Sequence, residues 1–239
     1  MRRSNPSVIY PPLSNLDALN AAREVFDTLR HALYHAVMAD MFARLLVVEI
    51  IKATPPHDQD AVAKSGESLS LSKEGLTNRT YNAIGQQAHL TGFFVALDGV
   101  LDNRLDVYLD TKERECLATK NREGYLQAKK GRELLADIHD VGWFKQFKEF
   151  RNKATHQRHL PITLHAVQVN QNLIARPTFP AQGNPAFEEQ LKFYLLNVIQ
   201  FALGLISDED AKLPEGFFIF DNWKIDVTLN AKMAFTKIG

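Results

Sequence analysis

Residues 141–159 read V-G-W-F-K-Q-F-K-E-F-R-N-K-A-T-H-Q-R-H, and the spacing within them decides how the rest of the chain is read. Trp143, Phe147, Phe150 and Ala154 fall four, three and four residues apart. That is the period of one buried helix face, so a helix is predicted over 141–157. Gln157 to Pro161 break the pattern and end it.

Working outward, the same period recurs on both sides. Upstream, 123–139 reads as a helix with Leu126, Leu134, Leu135 and Ile138 inward, and Gly142 marks the junction. Before it, Leu90, Phe94, Leu97, Leu101, Leu105 and Tyr108 predict a helix over about 76–109. Gly85, Gly92 and Gly99 weaken it locally but let a neighbour come close, and charged residues 110–121 are either a turn or a helix start. The first helix spans about 14–52, opened by a capping-box-like Ser14-x-x-Asp17, with Leu19, Phe26, Leu29, Leu33, Val37, Met41, Leu45 and Val48 as its stripe. Pro55-Pro56 ends it, and 54–75 is polar and serine-rich enough for a loop. Downstream of Pro161 the period changes to two: 162–169 and 173–175 read as two strands of a hairpin around Asn170-Gln171-Asn172. Asn184-Pro185 then opens a fifth helix with Phe187, Leu191, Tyr194, Val198, Phe201 and Leu205 on one face. Residues 217–220 and 223–229 read as strand-like cover.

Composition bounds the function. The 239 residues are 45% hydrophobic and 23% charged, ordinary for a globular protein, and 28 basic residues balance 28 acidic ones. No global field therefore draws the chain to nucleic acid or membranes, and any such binding must be local. The one cysteine, Cys116, excludes an internal disulfide and a cysteine-rich zinc site. The N-terminus lacks the apolar core of a signal peptide, and the greasiest runs, 45–51 and 194–206, are too short or too interrupted to span a bilayer. The expected location is the cytoplasm.

Chemistry concentrates at the end of the helix quoted first. It carries Lys145, Lys148, Arg151, Lys153 and Arg158 against one acid, Glu149, with His156 and His159 added, a local basic patch able to hold a phosphate backbone. Arginine suits bidentate phosphate recognition and histidine moves a proton near neutral pH. The bland account is that cations in a last helical turn are favoured by the helix dipole alone. On an ideal helix Arg151 and His156 lie roughly 140° apart, whereas Asn152 and His156 stack.

The string Arg151-Asn152-x-x-x-His156 resembles the R-x4-6-H signature of the HEPN superfamily, in which an asparagine often follows the arginine. The resemblance covers about residues 14–160. It implies a four- or five-helix bundle, usually a homodimer, with both copies of the motif lining an interfacial groove. Many members are metal-independent ribonucleases, some in toxin or defence systems with an antitoxin partner. The roles it implies are proton transfer by His156, phosphate stabilisation by Arg151, orientation by Asn152, and RNA or phosphate binding by Lys148, Lys153 and Arg158. In some members a polar residue of another helix joins the groove, for which Asp98, Asp102 and Asn103 are candidates. Some toxins carry a tyrosine two residues after the histidine, a site of nucleotidyl transfer; here that position is Arg158, so such regulation is not expected.

A rival constellation lies in the first helix, where Asp27, His31 and His35 recur every four residues, with His89, Asp98, His139 or Asp140 available from neighbours. No Glu-x-x-His motif repeats and the histidines flank the apolar stripe, so neither a metal nor another cofactor is expected. The reading is thus a mainly α protein, an up-down bundle of about five helices, HEPN-like, with a β-hairpin insertion and short C-terminal strands. Residues 1–13 are an extended lead-in and 14–160 the bundle; 161–239 supply the hairpin, the fifth helix and a C-terminal segment on the same domain. The expected activity is metal-independent RNA cleavage, and the alternative is a non-catalytic HEPN module binding nucleotide or RNA or mediating assembly.

Overall fold

The computed structural model describes residues 17–53, 69–70, 81–156, 163–169, 172–178, 186–213, 216–220 and 223–224, and it is mostly helical. Helix α1 (Asp17–Ala53) is the longest. Its buried face runs through Ala22, Phe26, Leu29, Leu33, Ala36 and Ala43 to Leu46 and Val47. Met41, Leu45 and Val48, expected on that face, are exposed instead. The cause is geometric: each four-residue step advances a helix by about 400°, so a row of such steps drifts about 40° per step and leaves the core. Among the described helices α1 alone is long and apolar enough to cross a membrane, but over half of that stretch is buried within the protein.

Helix α2 (Tyr81–Gly99) continues through a π turn (Val100–Arg104) into α3 (Leu105–Ala118), so the charged residues after 109 are helix rather than turn. In the π turn the Leu105 N–H reaches back to Val100 O, five residues away. The whole expected stripe from Leu90 to Tyr108 is buried. A tight connection follows, with Lys120 at φ 56° and Asn121 capping α4 (Arg122–Asp137) by accepting from the Gly124 N–H at 3.0 Å. In α4 only Ala128 and Gly131 are buried; Leu126 and Leu134, expected inward, are exposed because the helix touches the bundle along a narrow strip of small residues. A 3-10 turn (Ile138–Asp140), whose Ile138 is buried, leads into α5 (Gly142–His156).

Helix α5 buries Phe144, Phe147, Phe150 and Ala154, with Trp143 half-buried against the core. Its rings meet α2 and α6 (Phe187–Leu205) in one aromatic cluster: Phe94–Phe147 at 5.6 Å, Phe147–Tyr194 at 5.8 Å and Phe94–Tyr194 at 6.0 Å between centroids. Such pairs contribute about 0.5–1.5 kcal/mol each beyond the burial of their area. Polar ties lock the ends. Buried Asp40 of α1 holds Arg44 at 2.7 Å, Arg44 reaches Glu188 at the start of α6, and Lys192 lies 4.8 Å over the Trp223 ring. After α6, Asp210 takes a hydrogen bond from Tyr108 (3.0 Å) and an ion pair from Lys112 (2.8 Å), fastening that segment to α3.

Strand β1 (Leu69–Ser70) pairs antiparallel with β2 (Thr163–Val169), and β2 with β3 (Asn172–Thr178), in a register from Thr163↔Thr178 to Val169↔Asn172. Strands β4 (Ile219–Phe220) and β5 (Trp223–Lys224) form a second short pair. Helix α6 begins at Phe187 with Ala186 as its cap, later than Asn184-Pro185 had indicated. Those two residues, the lead-in, Ser14, residues 54–68 and 71–75 of the expected loop, the expected turn at Asn170-Gln171, and residues 225–229 lie outside the described residues, while Leu69 and Ser70 of that loop form β1.

The three glycines of α2 and its end separate by surroundings. A Cβ on Gly85 would lie 2.8 Å from the Phe42 ring and one on Gly92 2.7 Å from the His35 ring, so both let α1 approach, while Gly99 has nothing within 4 Å. Gly99→Ala is expected to stabilise the fold by about 0.5–1 kcal/mol through backbone entropy. Gly85→Leu is expected to cost about 1–3 kcal/mol by overpacking. Urea unfolding midpoints of the two variants check both signs.

Candidate functional site

Asp98 lies in the last turn of α2, at 5% exposure, facing α5. A carboxylate this buried must be met by opposite charge. Two cations meet it, Lys148 Nζ on Oδ1 at 2.5 Å and Arg151 Nη2 on Oδ2 at 2.7 Å. Lys148 also reaches Asp102, in the π turn, at 3.0 Å. Burial opposes the charge on Lys148, but its hydrogen bonds to Asp98 and Asp102 outweigh that and hold the ammonium above the usual lysine range. Of the three polar candidates on the neighbouring helix, Asp98 therefore joins Arg151, Asp102 joins Lys148, and Asn103 is exposed.

The other expected residues fall around this bridge. Arg151 Nη1 donates to Asn152 Oδ1 at 3.1 Å, while its buried Nε–H has no acceptor among the described residues. One turn on, Gln87 and Thr91 of α2 bind Ala154 O at 3.1 and 3.2 Å, so the last turn of α5 is tied to α2. His156 ends the helix, exposed, with no hydrogen bond or ion pair to a described residue. Arg158 and His159 lie outside the described residues. The structure thus brings Arg151 to both Asp98 and Asn152 and leaves His156 exposed at the helix end.

Among the described residues the cations of the basic patch stand near carboxylates. Lys153 pairs with Glu149 at 2.5 Å and lies 5.3 Å over the Phe150 ring; Lys145 stands 4.0 Å from Asp140. With Lys148 and Arg151 on Asp98, each of the four described lysine and arginine side chains of α5 faces a carboxylate. Three of those carboxylates, Asp98, Asp102 and Asp140, lie outside the helix, which is why a count along α5 alone overstated its charge.

The rival histidines separate. Asp27 and His31 are exposed, His139 stacks edge-on to Phe144, and Asp140 is exposed. Only His35 and His89 meet, Nδ1 to Nδ1 at 3.0 Å, between the ring of Phe42, stacked on His89, and that of Tyr34, edge-on to both. Among the described residues no group of three or more His, Cys, Asp or Glu side chains could hold a metal. A hydrogen bond between two ring nitrogens needs one donor and one acceptor, so at least one of the two rings is neutral when it forms. Burial lowers the pKa of both rings, and for His35 the charges of His89 and His31 lower it further. The sequence offered His89 as one of four neighbours to the Asp27, His31 and His35 row but did not single out this pairing or its aromatic surroundings, because the two histidines lie on different helices.

Elsewhere a cleft of about 600 Å³ opens between α3, α4 and the segment after α6, lined by Tyr108, Lys112, Gly131, Leu134, Ser207 and Glu209 among others. Burial pushes the Tyr108 phenol up to about 12, and Asp210 holds the Lys112 ammonium above its usual range against the opposing effect of burial. The cleft contains none of Arg151, Asn152 or His156. No family model, curated protein or solved structure matches the chain.

Two measurements probe this geometry. A double-mutant cycle on Asp98 and Arg151 is expected to give a coupling of about 1–3 kcal/mol, against about 0.3–0.5 kcal/mol for the exposed i,i+4 pair Lys153 and Glu149; equal couplings would mean the buried bridge has no special role. For the histidine pair, the folded pKa values lie below the unfolded value of 6.5. The unfolded chain then binds more protons in that window, so stability is full above about pH 6.5 and declines as pH falls toward the lowered values. His89→Gln should flatten the wild-type decline between pH 7 and 5, measured as the shift in urea midpoint.

Proposed function

We propose that this protein is a HEPN-like, metal-independent endoribonuclease that engages RNA at the C-terminal end of α5. In this reading the paired strands β2 and β3 are an insertion beside the bundle, and two copies of the chain supply the two walls of one groove. The single observation that supports it best is the contrast between Arg151, fixed on a buried carboxylate of another helix, and His156, open to solvent one turn further on.

The chemistry follows from those residue types. His156, as general base, takes the proton of a ribose 2′-hydroxyl as that oxygen attacks the adjacent phosphorus. The bond to the 5′-oxygen breaks, a 2′,3′-cyclic phosphate forms, and an imidazolium returns a proton to the departing oxygen. Arg151 stabilises the charge that gathers on the non-bridging oxygens. Asn152 accepts from Arg151 and limits its rotation, and Asp98 acts as a positioning residue.

A second reading is a non-catalytic module that binds nucleotide or RNA or mediates assembly, and a separate observation favours its assembly arm. Because the cations of α5 are paired with carboxylates, the surface holds a phosphate backbone less strongly than its lysines and arginines imply. Incubating a mixed RNA in excess chelator with wild type, His156→Ala and Arg151→Ala decides between them. Catalysis predicts cyclic-phosphate ends from wild type and a loss of about 100-fold or more in His156→Ala, with the fold retained. Wild type that binds RNA without cutting it supports the module; equal cutting by all three places the activity elsewhere.

A further inference from the structure

His35 of α1 and His89 of α2 face each other through their Nδ1 atoms at 3.0 Å, and among the described residues neither ring has another hydrogen-bond partner. Both rings are half-buried, and their sequence neighbours Tyr34 and Ala88 are exposed, so the pair lies at the protein surface. The backbone of α2 makes room for it. A Cβ on Gly92, one turn after His89, would lie 2.7–2.9 Å from three atoms of the His35 ring, so a side chain there would push that ring off its partner. Phe42 stacks on His89 with 5.5 Å between centroids, and Tyr34 meets both imidazoles edge-on.

We propose that His35 and His89 form an open site for a first-row transition-metal ion, Cu(II) most tightly, which clasps α1 to α2. Separation is the first support. An ion held by two imidazole nitrogens at about 2.0–2.1 Å each, with an angle of about 90–110° between them, keeps those nitrogens about 2.8–3.4 Å apart. The pair already stands within that range. The ring that donates the hydrogen bond changes tautomer, its proton passing to Nε2 through solvent, and both rings turn to aim their Nδ1 lone pairs at the ion. The donor type is the second support. Imidazole nitrogens suit Cu(II), Ni(II) and Zn(II), in an affinity order led by Cu(II), whereas Mg(II) and Ca(II) require oxygen ligands. Among the described residues no third His, Cys, Asp or Glu side chain completes the set, so water fills the remaining positions and the site stays open to an outside ligand. The face of Phe42 against His89 favours an imidazole that bears part of a cation's charge.

Of the row Asp27, His31 and His35, only the last belongs to this site; the other two are exposed. The two ligands come from different helices, so the ion binds the folded chain in preference to the unfolded one and stabilises the contact between α1 and α2. The ribonuclease reading requires no metal, and the two proposals stand or fall separately.

Calorimetric titration of the full chain with copper(II) chloride, in a weakly coordinating buffer, tests the site. Wild type and His139→Gln, a change at an exposed histidine of the 3-10 turn, are each expected to take up one tight equivalent. His35→Gln and His89→Gln are each expected to lose about 10-fold or more in affinity. Zinc(II) chloride should bind wild type more weakly than copper, and magnesium chloride should give no heat of binding. Circular dichroism reports whether each variant keeps its helices. Should the histidine variants not fold, wild type incubated with copper(II), ascorbate and oxygen provides the second readout, because side chains that hold the copper are oxidised first. Mass spectrometry is then expected to find oxidation at His35 and His89 ahead of His139. A wild type without a tight equivalent, an unchanged affinity in folded His35→Gln or His89→Gln, or oxidation no faster at His35 and His89 than at His139 overturns the proposal.

Discussion

The burial of Asp98 is the constraint from which the rest of the site follows, because desolvating a carboxylate in the last turn of α2 is costly unless cations are brought to it. Lys148 and Arg151, one turn apart on α5, supply them. Their geometry fixes both the rotation of α5 and its position along α2, while the aromatic cluster of Phe94, Phe147 and Tyr194 packs α5 against α2 and α6. Coulomb attraction in such a partly buried place roughly offsets the cost of desolvation. The bridge is thus better understood as setting alignment than as adding stability.

That alignment has a direction. Charge pairing holds the middle of α5 against the end of α2, and Gln87 and Thr91 hold the carbonyl of Ala154 two turns earlier on α2. The helix is fixed up to its last turn, where His156 emerges. A titratable ring on a rigid support, beside an oriented guanidinium, is the arrangement that proton transfer at a phosphodiester asks for. The same pairing reduces free positive charge, so in the proposed reading affinity for RNA would come from shape as much as from lysines.

The helices were legible in the sequence because their spacing reports burial directly. Leu90 to Tyr108 and Phe187 to Phe201 are buried as their periods require. Met41, Leu45 and Val48 misled for the reason that they are apolar yet lie on a different, exposed face of α1. Leu126 and Leu134 misled because α4 packs through Ala128 and Gly131, residues too small to mark a stripe. At the site, the string Arg151-Asn152-x-x-x-His156 was visible, but the partner Asp98 was one of three polar candidates until the tertiary contact selected it. The π turn beside it and the His35–His89 pair left no trace in spacing, since both arise from how α2 meets its neighbours.

Hydrogen exchange of the backbone with and without a single-stranded RNA oligonucleotide tests the central claim, that α5 and α2 form the RNA-engaging end, whether or not cleavage follows. The account predicts slowed exchange confined to the last two turns of α5 and the turns of α2 around Gln87 to Asp98. Protection of the cleft beside Tyr108 and Ser207 instead, or RNA binding that leaves α5 unchanged, would contradict it.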